Sequence, residues 1–285
     1  MGLALPILLS STLVLFLSFL FAPNPEMILG ARLGRLVHIR RSLAKLKFFT
    51  SGVSSAEAHP QLAALDHVVQ GIQGLKGTGL SSKERLTKVI DLVDDYGWNH
   101  GWLMNVGDVK GKIMDDALQL RLAQGDVKLA LELGTFIGYS TLRLARTLND
   151  TSAEIITVDP DIMAYAVSSS IYEQAGVRDR ITMKTDFSAN AFRKLKEEGK
   201  QIDFLFIDHV KHLYLSDLKL ALELQLLAKG CVVVGDNILF PGSPDYKEYM
   251  LSDEGRKLFK TEVHSTHLEY WPDQPDEVLV STFLG

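Results

Sequence analysis

Five short apolar runs separated by helical stretches set the architecture open to this chain. Residues 129–133, 154–159, 181–184, 203–208 and 231–235 read as strands. Residues 140–148, 164–175, 190–198 and 215–227 carry helical spacing between them. Strands covered on both faces lose their polar alternation, as in DFLFID and CVVVGD. Strand–helix alternation of this kind needs right-handed crossovers, which place helices on both faces of a parallel sheet. Near the end, residues 261–270 and 278–283 read as two more strands around a Pro-containing loop, so a hairpin puts an antiparallel strand into the sheet. The expected fold class is α/β: a doubly wound, mostly parallel, seven-stranded sheet with a C-terminal antiparallel hairpin. Helices are also expected over residues 61–75, 82–96 and 111–122. Ser81 and Glu84 form a capping box for the second.

The first strand runs into LELGTFIGYS, residues 131–140. Gly134 and Gly138 occupy a tight loop, and an apolar-periodic helix follows. Glycines let backbone approach a ligand closely, and a helix N-terminus offers unpaired N–H groups. The spacing is G-x-x-x-G and not the dinucleotide G-x-G-x-x-G, so a nicotinamide-linked dehydrogenase is disfavoured. The next strand ends at Asp159, where a carboxylate can grip a ribose diol. Together these favour an adenosine-bearing ligand without pyrophosphate, S-adenosylmethionine first among them. A plain βα turn would also satisfy the pattern.

Two further strands end in acid, one at Asp208 and the other at Asp236 and Asn237. Strand tips of a doubly wound sheet share one edge, so these oxygens meet the Gly134 loop there. Two carboxylates and an amide carbonyl suit Mg²⁺ with positions left open. Paired aspartates that only form turns would look the same. Lys211, three residues after Asp208, projects into the same mouth, where a desolvated lysine beside a cation can act as a general base. His209 can cover an adenine ring or simply pack.

The 285-residue chain carries a formal charge of −5, which argues against general nucleic-acid binding. Its one cysteine, Cys231, lies in an apolar run and has no intrachain partner for a disulfide. Residues 3–22 contain no charge, and a helix of that length spans about 30 Å, the thickness of a bilayer core. A secretory signal is the rival, but a basic n-region is missing and Pro23 and Pro25 follow the run. Arg32, Arg35, Arg40, Arg41, Lys45 and Lys47 lie after the span and no base precedes it, so the N-terminus is expected to be lumenal or extracellular and the remainder cytoplasmic. The expected domains are an anchor over residues 1–25, a basic juxtamembrane segment and linker over 26–60, and a catalytic domain over 61–285. Asn149-Asp150-Thr151 is a glycosylation sequon that this orientation leaves unused. Self-association is left open.

With these features in place, the sequence resembles the catechol O-methyltransferase family among the cation-dependent O-methyltransferases. The likeness is carried, in order, by WLMNVGDVKGKIMDDAL, LELGTFIGYS, FIDHVKHLY, DNILFPGSPDY and HLEY, and runs from about Gln61 to the end. A membrane-anchored form is known in that family. The resemblance implies S-adenosylmethionine and Mg²⁺ as cofactors. It places Val106, Gly134, Ser140 and Asp208 around the methionine part, Asp159 at the ribose, and Ser188 and His209 beside the adenine. It makes Asp208, Asp236 and Asn237 the Mg²⁺ ligands, Lys211 the base and Glu269 the partner of the second hydroxyl. Trp102, Met104 and Pro241 would line the slot for the substrate ring, with Asn237 also facing the catechol.

The sequence departs from the family at Val210, where a bulky aromatic is usual, and at Phe136, usually tyrosine. It also departs in the TDFSAN turn after Lys184 and in a shortened loop after Asp159-Pro160. The physical case for the chemistry is direct. A phenol titrates near ~10, so about one part in a thousand is ionised at neutral pH, and chelation of both catechol oxygens favours the phenolate. The expected activity is methyl transfer to one hydroxyl of a catechol. Other vicinal diphenols of the caffeoyl-ester type, and an anchored non-catalytic scaffold, are the alternatives.

Overall fold

The computed structural model describes residues 59–285 apart from 76 and 78, so the expected anchor and nearly all of the basic segment and linker lie outside the described residues. Among the described residues, no helix is long and apolar enough to cross a membrane.

Three helices come first: α1 (Pro60–Gln73), α2 (Ser82–Asn99) and α3 (Gly107–Gln124). Strand and helix then alternate through β1 (Leu129–Leu133), α4 (Tyr139–Thr147), β2 (Glu154–Val158), α5 (Ile162–Ala175), β3 (Ile181–Lys184), α6 (Ser188–Glu197), β4 (Ile202–Ile207), α7 (Tyr214–Glu223) and β5 (Leu227–Gly235). After α8 (Pro244–Leu251) and α9 (Asp253–Leu258), β6 (Phe259–Leu268) and β7 (Trp271–Phe283) form the C-terminal hairpin. All seven strands lie in one sheet, in the order β3-β2-β1-β4-β5-β7-β6. The first five are parallel, whereas β7 runs antiparallel to both β5 and β6. Strand order reverses between β1 and β4, which opens a crevice at their carboxyl ends.

The sheet is packed on both faces because its strands present alternate residues to each. Ala130, Phe204, Phe206, Val232 and Val234 share one core with Ala64, Val89, Met114, Leu142 and Ile171 from α1 to α5. Leu131, Leu133, Leu205, Ile207 and Val233 share the other with Phe192, Leu218 and Met250 from α6, α7 and α8. The capping box forms as expected: Ser81 Oγ accepts from Glu84 N at 3.3 Å, and Ser81 N donates to Glu84 Oε2 at 2.9 Å.

Most elements differ from the sequence reading by a few residues at one end, and three of these differences have a clear physical cause. The hairpin turns tightly at Glu269 and Tyr270, and Pro272 and Pro275 lie inside β7, not in a loop. Leu268 pairs with Trp271 and His267 with Pro275, so the residues between them bulge from the ladder. Prolines cannot donate to a ladder, and a bulge is where a strand tolerates them. Helix α3 begins at Gly107, four residues before the expected start at 111. Its N-cap, Val106, supplies no side-chain cap that would mark the start. The Leu224–Leu227 stretch continues helical spacing on paper, yet α7 ends at Glu223. A turn with Gln225 at φ +56° then starts β5 early.

Candidate active site

The glycine loop closes the tips of β1, β2 and β4 together. Gly134 N donates to Val158 O and Asp208 N donates to Leu133 O, each at 2.9 Å. Gly134 has φ +95°, and a Cβ there would collide with the Asp208 carbonyl oxygen. Gly138 has φ +81°, and its Cβ would collide with the Tyr172 ring. Both glycines are thus demanded by contacts within the protein, before any ligand is considered. Asp159 is equally engaged. Its Oδ2 accepts from Thr135 N at 2.9 Å and Phe136 N at 3.2 Å, and its Oδ1 from Asp161 N at 2.9 Å. The carboxylate expected at a ribose therefore also fixes the loop beside it. Under the loop, fully buried Glu132 accepts from the Thr141 and Thr157 hydroxyls, and burial pushes its carboxyl up to about 7.

Ser140 is buried in the first turn of α4, and Val106 is buried just before α3. Ser188 is buried as the first residue of α6, beyond the edge strand β3. His209 Nε2 lies 2.7 Å from Asp217 Oδ2, and its ring stacks on Tyr214 with centroids 5.3 Å apart. One face of that imidazole is therefore already covered.

The charged mouth forms where β4, β5 and the hairpin turn end. Lys211 Nζ donates to Asp208 Oδ1 at 2.7 Å, Tyr214 OH at 2.6 Å and Asn237 Oδ1 at 3.1 Å. Tyr214 OH donates onward to the Asp236 carbonyl at 3.1 Å, which fixes the acceptor that Lys211 uses. Asn237 adopts φ +53°, a conformation asparagine tolerates better than most residues. Its Nδ2 faces Asp276 Oδ2 at 3.2 Å and Glu269 Oε2 at 3.4 Å, which turns its Oδ1 toward Lys211. The structure thus brings Asp208, Lys211, Asp236, Asn237 and Glu269 into one network.

At the base of this network is a residue that the sequence reading does not single out. Lys110 of α3 is 1 % exposed, and its Nζ lies 2.8 Å from Glu269 Oε2 and 3.0 Å from both Asp236 Oδ1 and Asp276 Oδ2. Burial alone would favour the neutral amine, but the three carboxylates outweigh it and raise the lysine. Asp276, also missed, accepts from Leu239 N at 3.0 Å and Phe240 N at 3.2 Å, so it anchors the Ile238–Gly242 turn as well. Burial pushes the Asp236 carboxyl up, against the pull of Lys110, and does the same to Glu269. Asp236 Oδ2 and Glu269 Oε1 are buried and accept no hydrogen bond. The sequence carries a signal for Lys110. With Met114, Leu118 and Arg121 it falls on one helical face that is buried throughout.

Trp102 Nε1 donates to the Glu269 carbonyl at 3.0 Å, which places the indole against the hairpin turn. Met104 is 47 % exposed, Val210 52 % and Leu239 44 %, and Pro241 is exposed in the same turn as Leu239. Each of these exposed apolar residues lies within four residues of a member of the network or of Trp102.

The sequence matches the O-methyltransferase family model over residues 84–258. It is similar to a probable O-methyltransferase of Mycobacterium tuberculosis, with 37% identity over 203 residues covering 69% of this chain and 84% of that one. Catechol O-methyltransferase B of Danio rerio is 35% identical over 199 residues, covering 69% of this chain and 72% of the relative. The fold matches the O-methyltransferase TomG of Streptomyces achromogenes, solved in complex with SAM. The TM-score is 0.57 and the identity 21%, covering 76% of this chain and 96% of that one. The chain belongs to the O-methyltransferase family and is a methyltransferase.

Proposed function

We propose that the chain methylates one hydroxyl of a catechol, with S-adenosylmethionine as methyl donor and Mg²⁺ held by Asp208, Asp236 and Asn237. The charge balance of the buried mouth carries this reading. Four carboxylates (Asp208, Asp236, Glu269 and Asp276) face two ammonium groups (Lys110 and Lys211), which leaves a formal excess of two negative charges. One divalent cation cancels that excess. Burial is the main cause of the upward push on Asp236 and Glu269, and the neighbouring Asp208 carboxylate adds to it. The donors suit a hard cation: an unpartnered Asp236 Oδ2, an Asp208 carboxylate and an amide oxygen oriented by its own hydrogen bonds.

Mg²⁺ held by Asp208, Asp236 and Asn237 would supply Lewis-acid stabilisation of the phenolate. The residues do the rest. Lys211 takes the proton of the attacking hydroxyl as its neutral amine, so the ammonium charge counted above is given up to solvent before the transfer, and Tyr214 and Asn237 hold the amine at the mouth. Glu269 Oε1, buried and accepting no hydrogen bond, receives the second hydroxyl. Trp102, Met104 and Pro241 flank the aromatic ring. On the cofactor side, Asp159 grips the ribose while it holds the glycine loop. Val106, Gly134, Ser140 and Asp208 surround the methionine part, and Ser188 and His209 flank the adenine. Phenolate meeting sulfonium neutralises charge, so a site shielded from water favours the transfer.

The test is methyl transfer to a panel of catechols, caffeoyl-type diphenols and monophenols, with Mg²⁺ and with a chelator. Lys211→Ala should lower kcat by about 10²–10⁴, with partial recovery as pH rises and ionises the catechol unaided. Near-normal kcat in that variant at neutral pH, or turnover indifferent to the chelator, would sink the metal-and-lysine reading. We also propose that residues 3–22 retain the protein on a membrane with the catalytic domain cytoplasmic. Extraction by alkali alone, or a glycan at Asn149, would overturn that.

A further inference from the structure

A second cluster of metal-ligating side chains lies on the helices that precede the sheet. His67 belongs to α1, Asp95 to the last turn and a half of α2, and His100 caps the C-terminus of α2. Asp95 Oδ2 is 2.9 Å from His67 Nε2 and 3.5 Å from His100 Nε2, and the three ligand atoms all fall within 4.8 Å of one another. The two imidazoles are 4.6 Å apart between centroids and tilted by 45°. A tetrahedral metal with bonds of about 2.0–2.1 Å separates its ligand atoms by about 3.3 Å. The two distances to Asp95 bracket that spacing.

Three further observations separate this cluster from an ordinary ion pair. His67 Nε2 is buried and faces Asp95 Oδ2 at 2.9 Å, so the ring nitrogen is already turned toward the carboxylate with which it would share an ion. The other Asp95 oxygen, Oδ1, accepts from Asn99 Nδ2 at 2.9 Å, which fixes the carboxylate as outer-shell partners fix metal ligands. Tyr96 packs beside both imidazoles, with centroid distances of 5.8 and 6.0 Å. The His100 and Asp95 side chains stay 51% and 46% exposed, which leaves the outer side of the cluster open to water.

We propose that His67, Asp95 and His100 form a binding site for a transition-metal ion of the Zn²⁺ type, with a remaining position open to water. Two imidazole nitrogens and one carboxylate oxygen suit zinc and its neighbours, and do not suit Mg²⁺. The ion ties α1 to the end of α2, from which the chain passes through Gly101 to Trp102. The site shares no residue with the acidic mouth and stands independently of the reaction proposed there.

The test uses the full-length chain in detergent, with Mg²⁺ in excess to occupy oxygen sites. Zn²⁺ is titrated in competition with a chromophoric chelator, and Tm is followed in parallel. One Zn²⁺ should bind per chain and raise Tm, since an ion that binds only the folded state stabilises it. His67→Ala and His100→Ala should each weaken binding by about tenfold or more and abolish the Tm rise, whereas His264→Ala should leave both unchanged. His100 is exposed, so its replacement tests the site even if the His67 variant is poorly folded without metal. Absence of Zn²⁺ binding by the unaltered chain would overturn the proposal. So would equal affinity in His100→Ala.

Discussion

The two halves of the sheet's carboxyl edge are held by different means. At the tips of β1 and β2, one carboxylate gathers backbone N–H groups: Asp159 accepts from Thr135, Phe136 and Asp161, and glycine geometry does the remainder. The carboxylate, its donors and the glycines all lie within residues 134–161, close in sequence, and only the contacts that demand the glycines, from Asp208 and Tyr172, come from further along the chain. At the tips of β4 and β5, the mouth is assembled from side chains at 110, 208, 211, 236, 237, 269 and 276, and charge holds it. The first half is neutralised by amides that cannot leave. The second is out of balance, with more buried acid than base. In our reading, a region of the first kind binds by shape, whereas one of the second kind takes a cation to restore its charge balance.

The sharpest way to break this comparison is Lys110→Met. It leaves Asp236, Glu269 and Asp276 without their shared ammonium at near-zero exposure. Removing one partner of a buried ionic cluster costs about 3–5 kcal/mol. The Tm of the variant should fall accordingly, and excess Mg²⁺ should restore more of it than in the unaltered chain. Denaturation that shows a loss no larger than a surface substitution would mean the mouth is not held by charge.

This lysine also marks the limit of what the sequence discloses. The strands, their parallel order and the Ser81 capping box follow from spacing and short-range chemistry, because period and cap signals are local. Asp208, Lys211, Asp236 and Asn237 are legible because strand tips of such a sheet must share an edge. The helical face of Lys110 marks it as buried, but nothing within ten residues of Lys110 or Asp276 names a partner; their pairing is made by the hairpin folding back over α3. The hairpin itself is harder to bound, because Pro272 and Pro275 read as loop although a bulge absorbs them into the strand.

A smaller effect is expected on the amide-held side. Asp159→Ala removes a charged acceptor of three backbone hydrogen bonds, and a hydrogen bond to a charged group contributes about 1.5–3 kcal/mol. Cofactor affinity and Tm should fall together, because one carboxylate serves the loop and, in our reading, the ribose. Asp159→Asn should keep part of both, as the amide oxygen still accepts. Calorimetry that finds full cofactor affinity in Asp159→Ala, alongside a lowered Tm, would leave the residue a loop brace alone.

The smallest effect is at the seam between the halves. Asp94 of α2 accepts from Tyr139 OH, at the start of α4, at 3.0 Å and from Tyr270 OH, at the hairpin turn, at 2.9 Å. Burial pushes its carboxyl up to about 6, although the two tyrosine hydroxyls and Arg143 favour the charged form. The sign follows from proton counting. Between about pH 4 and 6 the folded chain holds a proton at Asp94 that the unfolded chain has released, so stability falls as pH rises through that window and levels off above it. Asp94→Asn keeps an acceptor but cannot ionise. Relative to the unaltered chain it should remove about 2 kcal/mol of that decline, because each tenfold change in proton affinity is worth about 1.4 kcal/mol and the remaining solvent exposure trims the total. Glu132 and Asp236 also sit above the ordinary carboxylate range, so the informative quantity is the difference between the two stability–pH curves. Parallel curves from pH 4 to 6 would show that Asp94 is ionised throughout, and that a charge, rather than a protonated acid, joins the two halves.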